Sequence, residues 1–196
     1  MNMGHLPTQI VERETDARGR ITLGSEYADQ RLRVFVMPEE YLIENLRVGF
    51  ARHHEIDVTE EAQREMFADR VIGIDCGVGP SIHEEFYRKT GGKSAVADIR
   101  TLHRFTEGAL VAAEFREVFP NRMLLGVVEP GSEIEIRKYK NESDETKYLK
   151  TLQLTDVRER IKSDNSDLFD GNLHPSRGSV RQWDQKELVR SEYADS

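Results

Sequence analysis

Two short apolar runs separated by a stretch with a different apolar period constrain this chain most. Val71, Ile72, Ile74 and Cys76 form a nearly continuous apolar segment closed by Gly77, and Met123 to Val128 form a second closed by Glu129-Pro130-Gly131-Ser132. Runs of this length bounded by turn residues suit strands buried on both faces, and the first is expected to lie centrally in its sheet. Between them, Val96, Ile99, Leu102, Phe105, Ala109, Leu110 and Ala113 recur at helical spacing, which predicts one long helix from Ser94 to about Val118. Strand, helix and strand in that order imply an α/β or α+β domain. With 196 residues, 37% of them hydrophobic, the chain can bury about 70% of its unfolded surface. No apolar run approaches the ~20 residues of a membrane helix, so no membrane partner is expected.

The remaining elements are read from their punctuation. Thr59 followed by Glu60 and Glu61 is the pattern of a helix N-cap with acids in the first turn, predicting a helix to about Ala68. Residues 41 to 50 suit a short helix or a helix running into a strand. Ser81-Ile82-His83-Glu84 has the spacing of a capping box, predicting a helix that ends at Gly91-Gly92. After Met123–Val128, Ile134 and Ile136 alternate with Glu135 and Arg137, as in a strand returning in a hairpin. Lys140 to Lys147 reads as a polar linker, and 148 to 161 as a short helix. Residues 162 to 196 are poor in aliphatics and carry the lone Trp183, which predicts a polar, disordered or surface-draped tail.

Charge and cysteine content remove several functional classes. The 36 acidic against 28 basic residues give a net charge of -8, a field that repels phosphate backbones and membrane surfaces, so a nucleic-acid contact needs a local basic patch. One cysteine, Cys76, makes neither an intrachain disulfide nor a Cys-rich zinc site. No cofactor is called for, and the polar residues near the N-terminus, where a secretory signal would be apolar, predict a cytoplasmic protein.

Near the N-terminus, Thr15-Asp16-Ala17-Arg18-Gly19-Arg20-Ile21-Thr22-Leu23-Gly24 precedes Tyr27-Ala28 and a strand-like run around Val34. A glycine in a tight turn lets flanking arginines project from a β scaffold while alternating apolar residues bury on the other side. Over residues 8 to 40 this resembles the swapped-hairpin module of the AbrB and VapB-antitoxin family. The resemblance implies a module (residues 1–40) that interlocks with a second copy, with Arg18, Arg20 and Arg13 meeting DNA and Asp16 and Gly19 shaping the turn. Two departures stand out: Gly24 occupies the place where the family usually has proline, and the following helix shrinks to Ser25–Gln30. In residues 1 to 37, five arginines (13, 18, 20, 31, 33) face five acids (12, 14, 16, 26, 29), so the module is near neutral.

A second candidate lies at Asp75-Cys76-Gly77-Val78-Gly79-Pro80-Ser81 with His83, Glu84 and Glu85. An acid and glycines between a strand end and a helix start are where α/β proteins place anions or catalytic groups, and Asp75, His83 and Glu85 form an alternative active site. Folding needs also explain them, since Glu84 completes the capping box and Pro80 removes a backbone donor. Gly92-Lys93-Ser94 lacks the earlier glycine of a phosphate loop, Tyr87 standing there. His53-His54 beside Glu55 and Asp57 is a weak metal pattern, because adjacent strand residues face opposite sides; no metal site is predicted. The sequence thus divides into residues 1–40, an α/β domain over 41–161 and a tail over 162–196. The leading expectation is a dimeric DNA-binding, antitoxin-like or transcription-regulating protein. A protein that assembles through the β module without DNA, and a hydrolase or nuclease built on Asp75, His83 and Glu85, are the alternatives.

Overall fold

The computed structural model describes residues 46–53, 56–77, 79–90, 92–165, 167–175 and 178–194; the N-terminal module, with Arg13, Asp16, Arg18, Gly19 and Arg20, lies outside them. Among the described residues the fold is α+β, with eight strands in two sheets and four helices. The first sheet has the order β7-β4-β3-β1-β8, from β1 (Arg47–Arg52), β3 (Ala109–Glu114), β4 (Arg122–Val128), β7 (Thr155–Ile161) and β8 (Val180–Gln182). Within it, β1 and β3 run parallel, Arg52 opposite Glu114, and the other pairs are antiparallel. The second sheet, β2-β6-β5, is antiparallel throughout and joins β2 (Val71–Ile74), β6 (Thr146–Gln153) and β5 (Glu135–Lys140).

Alternation across the first sheet separates two cores. Val48, Phe50, Leu110, Ala112, Met123 and Leu125 project to one face, whereas Ala51, Ala109, Val111, Ala113 and Leu124 project to the other. The second face packs with α1 (Glu60–Ala68), α3 (Gly92–Phe105) and the second sheet in one continuous core. Thr59 caps α1 as expected, its hydroxyl accepting from the Ala62 N–H at 3.2 Å. Phe105 at the end of α3 sits against Gly49, where any Cβ would collide with the ring, so the smallest residue of β1 lets the helix close on the sheet.

The first face is covered by the segment expected to be a tail. Leu168, Phe169, Trp183, Val189 and Tyr193 are all buried against it. β8 pairs with β1, and α4 (Lys186–Ala194) buries Val189 and Tyr193. Polar anchors complete the cover. Trp183 Nε1 donates to Leu173 O at 2.7 Å, Tyr193 Oη to Asp156 Oδ2 at 2.5 Å, and the Arg158 guanidinium lies 4.2 Å from the Tyr193 ring centre. The aliphatic poverty of residues 162–196 misleads because five aromatic and aliphatic anchors suffice when the polar tips of Trp183 and Tyr193 find partners.

Four other expectations are corrected. The long helix stops at Phe105, because Gly108 takes φ +107 and turns the chain into β3, whose six residues are all buried; a strand apolar on both faces mimics the continuation of a helical stripe. β2 is buried on both faces as expected, yet among the described residues it stands at the end of its sheet and pairs with β6 alone. β5 does not return along β4; it crosses to the second sheet and pairs with β6 through the turn Asn141–Glu145, so residues 140–147 are a hairpin and not a linker. Residues 148–161 hold parts of two strands, β6 and β7, with Leu154 marking the passage from one sheet to the other. Residues 47–50, left open between helix and strand, belong to β1.

Candidate functional site

The turn after β2 builds a polar depression to which both the sequence pattern and the geometry point. Asp75 Oδ1 accepts from the Gly77 N–H at 2.7 Å, and Gly77 and Gly79 both take positive φ, +73 and +58. Side chains at these two positions would be strained, so the backbone is left bare beside Asp75. Facing it across the depression, of about 160 Å³, β6 contributes Thr146, Lys147, Tyr148 and Lys150.

Lys150 is the unusual member. Its residue is 1% exposed, and its Nζ donates to Gly79 O at 3.0 Å and Tyr148 O at 2.7 Å. The Tyr87 ring centre lies 5.2 Å from the same nitrogen. Among the described residues no carboxylate forms an ion pair with it. Burial lowers its pKa from the ordinary lysine value, opposed by Cys76 and Asp75. The same burial pushes the Cys76 thiol up to about 11 and raises the Tyr87 phenol, whose hydroxyl donates to Ser81 O at 2.5 Å. Lys147 differs from Lys150, since its Nζ reaches Asp57 at 2.5 Å and Glu145 at 3.2 Å. Hydrogen bonds from Lys147 and Asn141 hold the Asp57 carboxyl below the usual carboxylate range.

The three residues of the alternative active site stand in different surroundings. Asp75 lines the depression, whereas His83 is exposed and Glu85 is exposed and paired with Lys89 at 3.1 Å, a turn along its own helix, α2 (Glu84–Thr90). The capping box does not form either. The Ser81 hydroxyl accepts from the His83 N–H at 3.2 Å, and Glu84 turns to Arg88 and Arg100, 2.6 and 2.5 Å away, tying α2 to α3. Those two guanidiniums, Arg100 above all, bring the Glu84 carboxyl down to about 2.

A second polar cluster sits where the parallel strands β1 and β3 end, the edge at which open α/β sheets place ligands. His53 is fully buried and both ring nitrogens are used: Nε2 accepts from the Gly73 N–H at 3.1 Å, and Nδ1 donates to Glu114 O at 2.9 Å. The imidazole thus satisfies a backbone donor on β2 and stacks on Phe115 at 3.9 Å. Glu114, 2% exposed, receives Arg116 at Oε1, and Arg116 also donates to His174 Nδ1 at 3.0 Å, while His174 Nε2 donates to Leu168 O at 2.9 Å. These bonds join β3 to the covering segment 167–175. His54 and Glu55 lie outside the described residues, and among the described residues no group of three or more His, Cys, Asp or Glu is placed to hold a metal.

The sequence pattern does not single out Lys150, because residues 148–161 read as a short helix. No local pattern marks it, since Lys147, Leu149 and Thr151 and the alternate set Tyr148, Lys150 and Leu152 each mix polar with apolar residues. Among the described residues no helix is long and apolar enough to cross a membrane. Compared with known proteins, the chain matches no family model, and no curated protein or solved structure is significantly similar to it.

Proposed function

We propose that the chain is a DNA-binding regulator of antitoxin-like type, acting as a dimer through residues 1–40, with the α+β body as its second part. The observation that carries this reading is the run Asp16-Ala17-Arg18-Gly19-Arg20-Ile21-Thr22-Leu23, in which a glycine turn presents two arginines ahead of an alternating strand. Guanidiniums suit phosphate and minor-groove contacts because their planar donor fork matches oxygen pairs. Glu85 pairs with Lys89 and His83 lies at the surface, which lends the hydrolase alternative no support.

Light scattering after size exclusion tests the proposal, using the full chain at low and high salt, with and without duplex DNA of random sequence. A dimer whose salt-sensitive complex with DNA is lost in the Arg18→Ala/Arg20→Ala double variant is expected. A dimer indifferent to DNA at every salt concentration would overturn DNA binding and leave the β module as an assembly device. A monomer would overturn the dimeric module as well.

A further inference from the structure

From the surroundings of Lys150 we infer that its amine is a nucleophile that condenses reversibly with a small aldehyde or ketone entering the depression beside Asp75, Gly77 and Gly79. This inference is independent of DNA binding. It rests on counting donors and acceptors at a buried nitrogen. An ammonium carries three N–H donors and no acceptor, whereas a neutral amine carries two donors and one lone pair. The structure offers Nζ two carbonyl oxygens, Gly79 O and Tyr148 O, which meet both N–H groups of the neutral amine. A third N–H would find no carbonyl or carboxylate oxygen among the described residues, only the face of the Tyr87 ring 5.2 Å away, a weaker acceptor. Buried lysines that stay charged are usually paired with a carboxylate, and none lies within ion-pair distance among the described residues.

With both N–H groups committed to backbone oxygens, the lone pair is left uncommitted on a residue that lines a depression of about 160 Å³. Burial lowers the pKa of Lys150, in keeping with the geometry. Desolvated lysines of this kind serve as amine nucleophiles toward carbonyl groups. The bare backbone at Gly77, where an added Cβ would meet nothing within 4 Å, leaves room for the incoming carbonyl carbon.

The chemistry balances without oxidant or reductant. Nζ attacks the carbonyl carbon, a C–N bond forms, and the C=O π pair moves to oxygen, which takes up a proton while nitrogen releases one. The carbinolamine hydroxyl then leaves with a second proton as water, and the nitrogen lone pair closes the C=N bond with loss of the remaining amine proton. Amine and carbonyl compound thus give imine and water, and hydrolysis reverses the sequence.

Reductive trapping tests the inference on the full chain. The protein is incubated near pH 7 with acetaldehyde, a neutral probe, or glyoxylate, an anionic one, in the presence of cyanoborohydride, and modified residues are mapped by peptide mass spectrometry. The chain has 8 lysines. With at least one probe, Lys150 is expected to carry the ethyl or carboxymethyl group several-fold faster than any of the other seven, because its buried amine is neutral in a larger fraction of molecules. Lys150→Arg, which keeps N–H donors for the two carbonyl oxygens and removes the nucleophilic amine, is expected to abolish the fast phase. Labelling of the exposed lysines at rates equal to or above that of Lys150, with both probes, would overturn the inference, and this comparison needs only the wild-type protein.

Discussion

Replacing Trp183 by alanine tests whether residues 162–196 are part of the core. Trp183 is 2% exposed, its ring lies 5.0 Å from that of Phe50 and 5.5 Å from that of His174, and its indole N–H donates to Leu173 O. Truncating a buried tryptophan costs about 3–5 kcal/mol in lost transfer energy and residual cavity. The orphaned Leu173 carbonyl adds about 1 kcal/mol unless water reaches it. Against a total stability of about 5–15 kcal/mol, Trp183→Ala is expected to lower the urea midpoint strongly with little change in slope. At about 2–4 °C per kcal/mol for a chain of this size, the melting temperature falls by about 6–24 °C. Far-UV circular dichroism is the appropriate probe, because the variant lacks the only tryptophan. In the wild type, that residue's fluorescence should be blue-shifted and should move to the red in the same transition. A stability loss below about 1 kcal/mol, or a native emission maximum typical of exposed indole, would refute the packing of this segment on β1, β3 and β4.

Three further expectations follow from named contacts. His53→Ala strands the Gly73 N–H and removes the ring stacked on Phe115, so a loss of about 1–3 kcal/mol is expected in chemical denaturation; a neutral effect would mean that the edge of β2 is otherwise satisfied. Glu84, with its folded pKa down at about 2 against an ordinary 4.5, contributes stability that is present above about pH 4.5 and is lost as pH falls toward 2. Glu84→Gln should therefore lower stability at neutral pH and flatten the acid limb of the curve, and a limb parallel to the wild type would count against the Arg100–Glu84–Arg88 tie. Cys76, raised from 9.0 to about 11, should react with an aromatic disulfide at pH 8 about a hundredfold more slowly in the native state than after unfolding. Its shift also withdraws stability as pH rises from about 9 to about 11, because the unfolded thiol ionises first; equal reactivity in the two states would sink the buried-thiol assignment.

Local chemistry made part of this fold readable. The Thr59 cap, the apolar run of β2 and the run of β4 each announce themselves within a few residues, and each forms as expected. What could not be read locally was decided by partners far along the chain. Ala109 to Ala113 have the apolar density of a helix, and only the sharp turn at Gly108 and the flanking strands β1 and β4 make them the centre of a sheet. Trp183 and Tyr193 looked stranded in a polar segment because the surface that buries them comes from residues 48–50, 110–112 and 123–125.

The site followed the same division. The Asp75–Gly79 turn was legible because an acid and two glycines at a strand end carry a local meaning. Lys150 was not, because what sets it apart is its burial against Gly79 and Tyr87, which are 71 and 63 residues away in sequence. Glu114 and His174 were overlooked for the same reason: their tie through Arg116 spans 58 residues between Arg116 and His174.

The most direct test of DNA recognition through the N-terminal turn is fluorescence anisotropy of a labelled duplex titrated with the full chain across a range of salt concentrations. Each phosphate neutralised adds about 0.9 to the steepness of log affinity against log salt, so a dimer with Arg18 and Arg20 of both protomers on phosphate should lose about 3–4 of that slope in the double alanine variant. Weaker binding with a slope reduced by that amount is the expected result. Wild-type affinity and slope in the variant, or no binding by the wild type even at low salt, would contradict it.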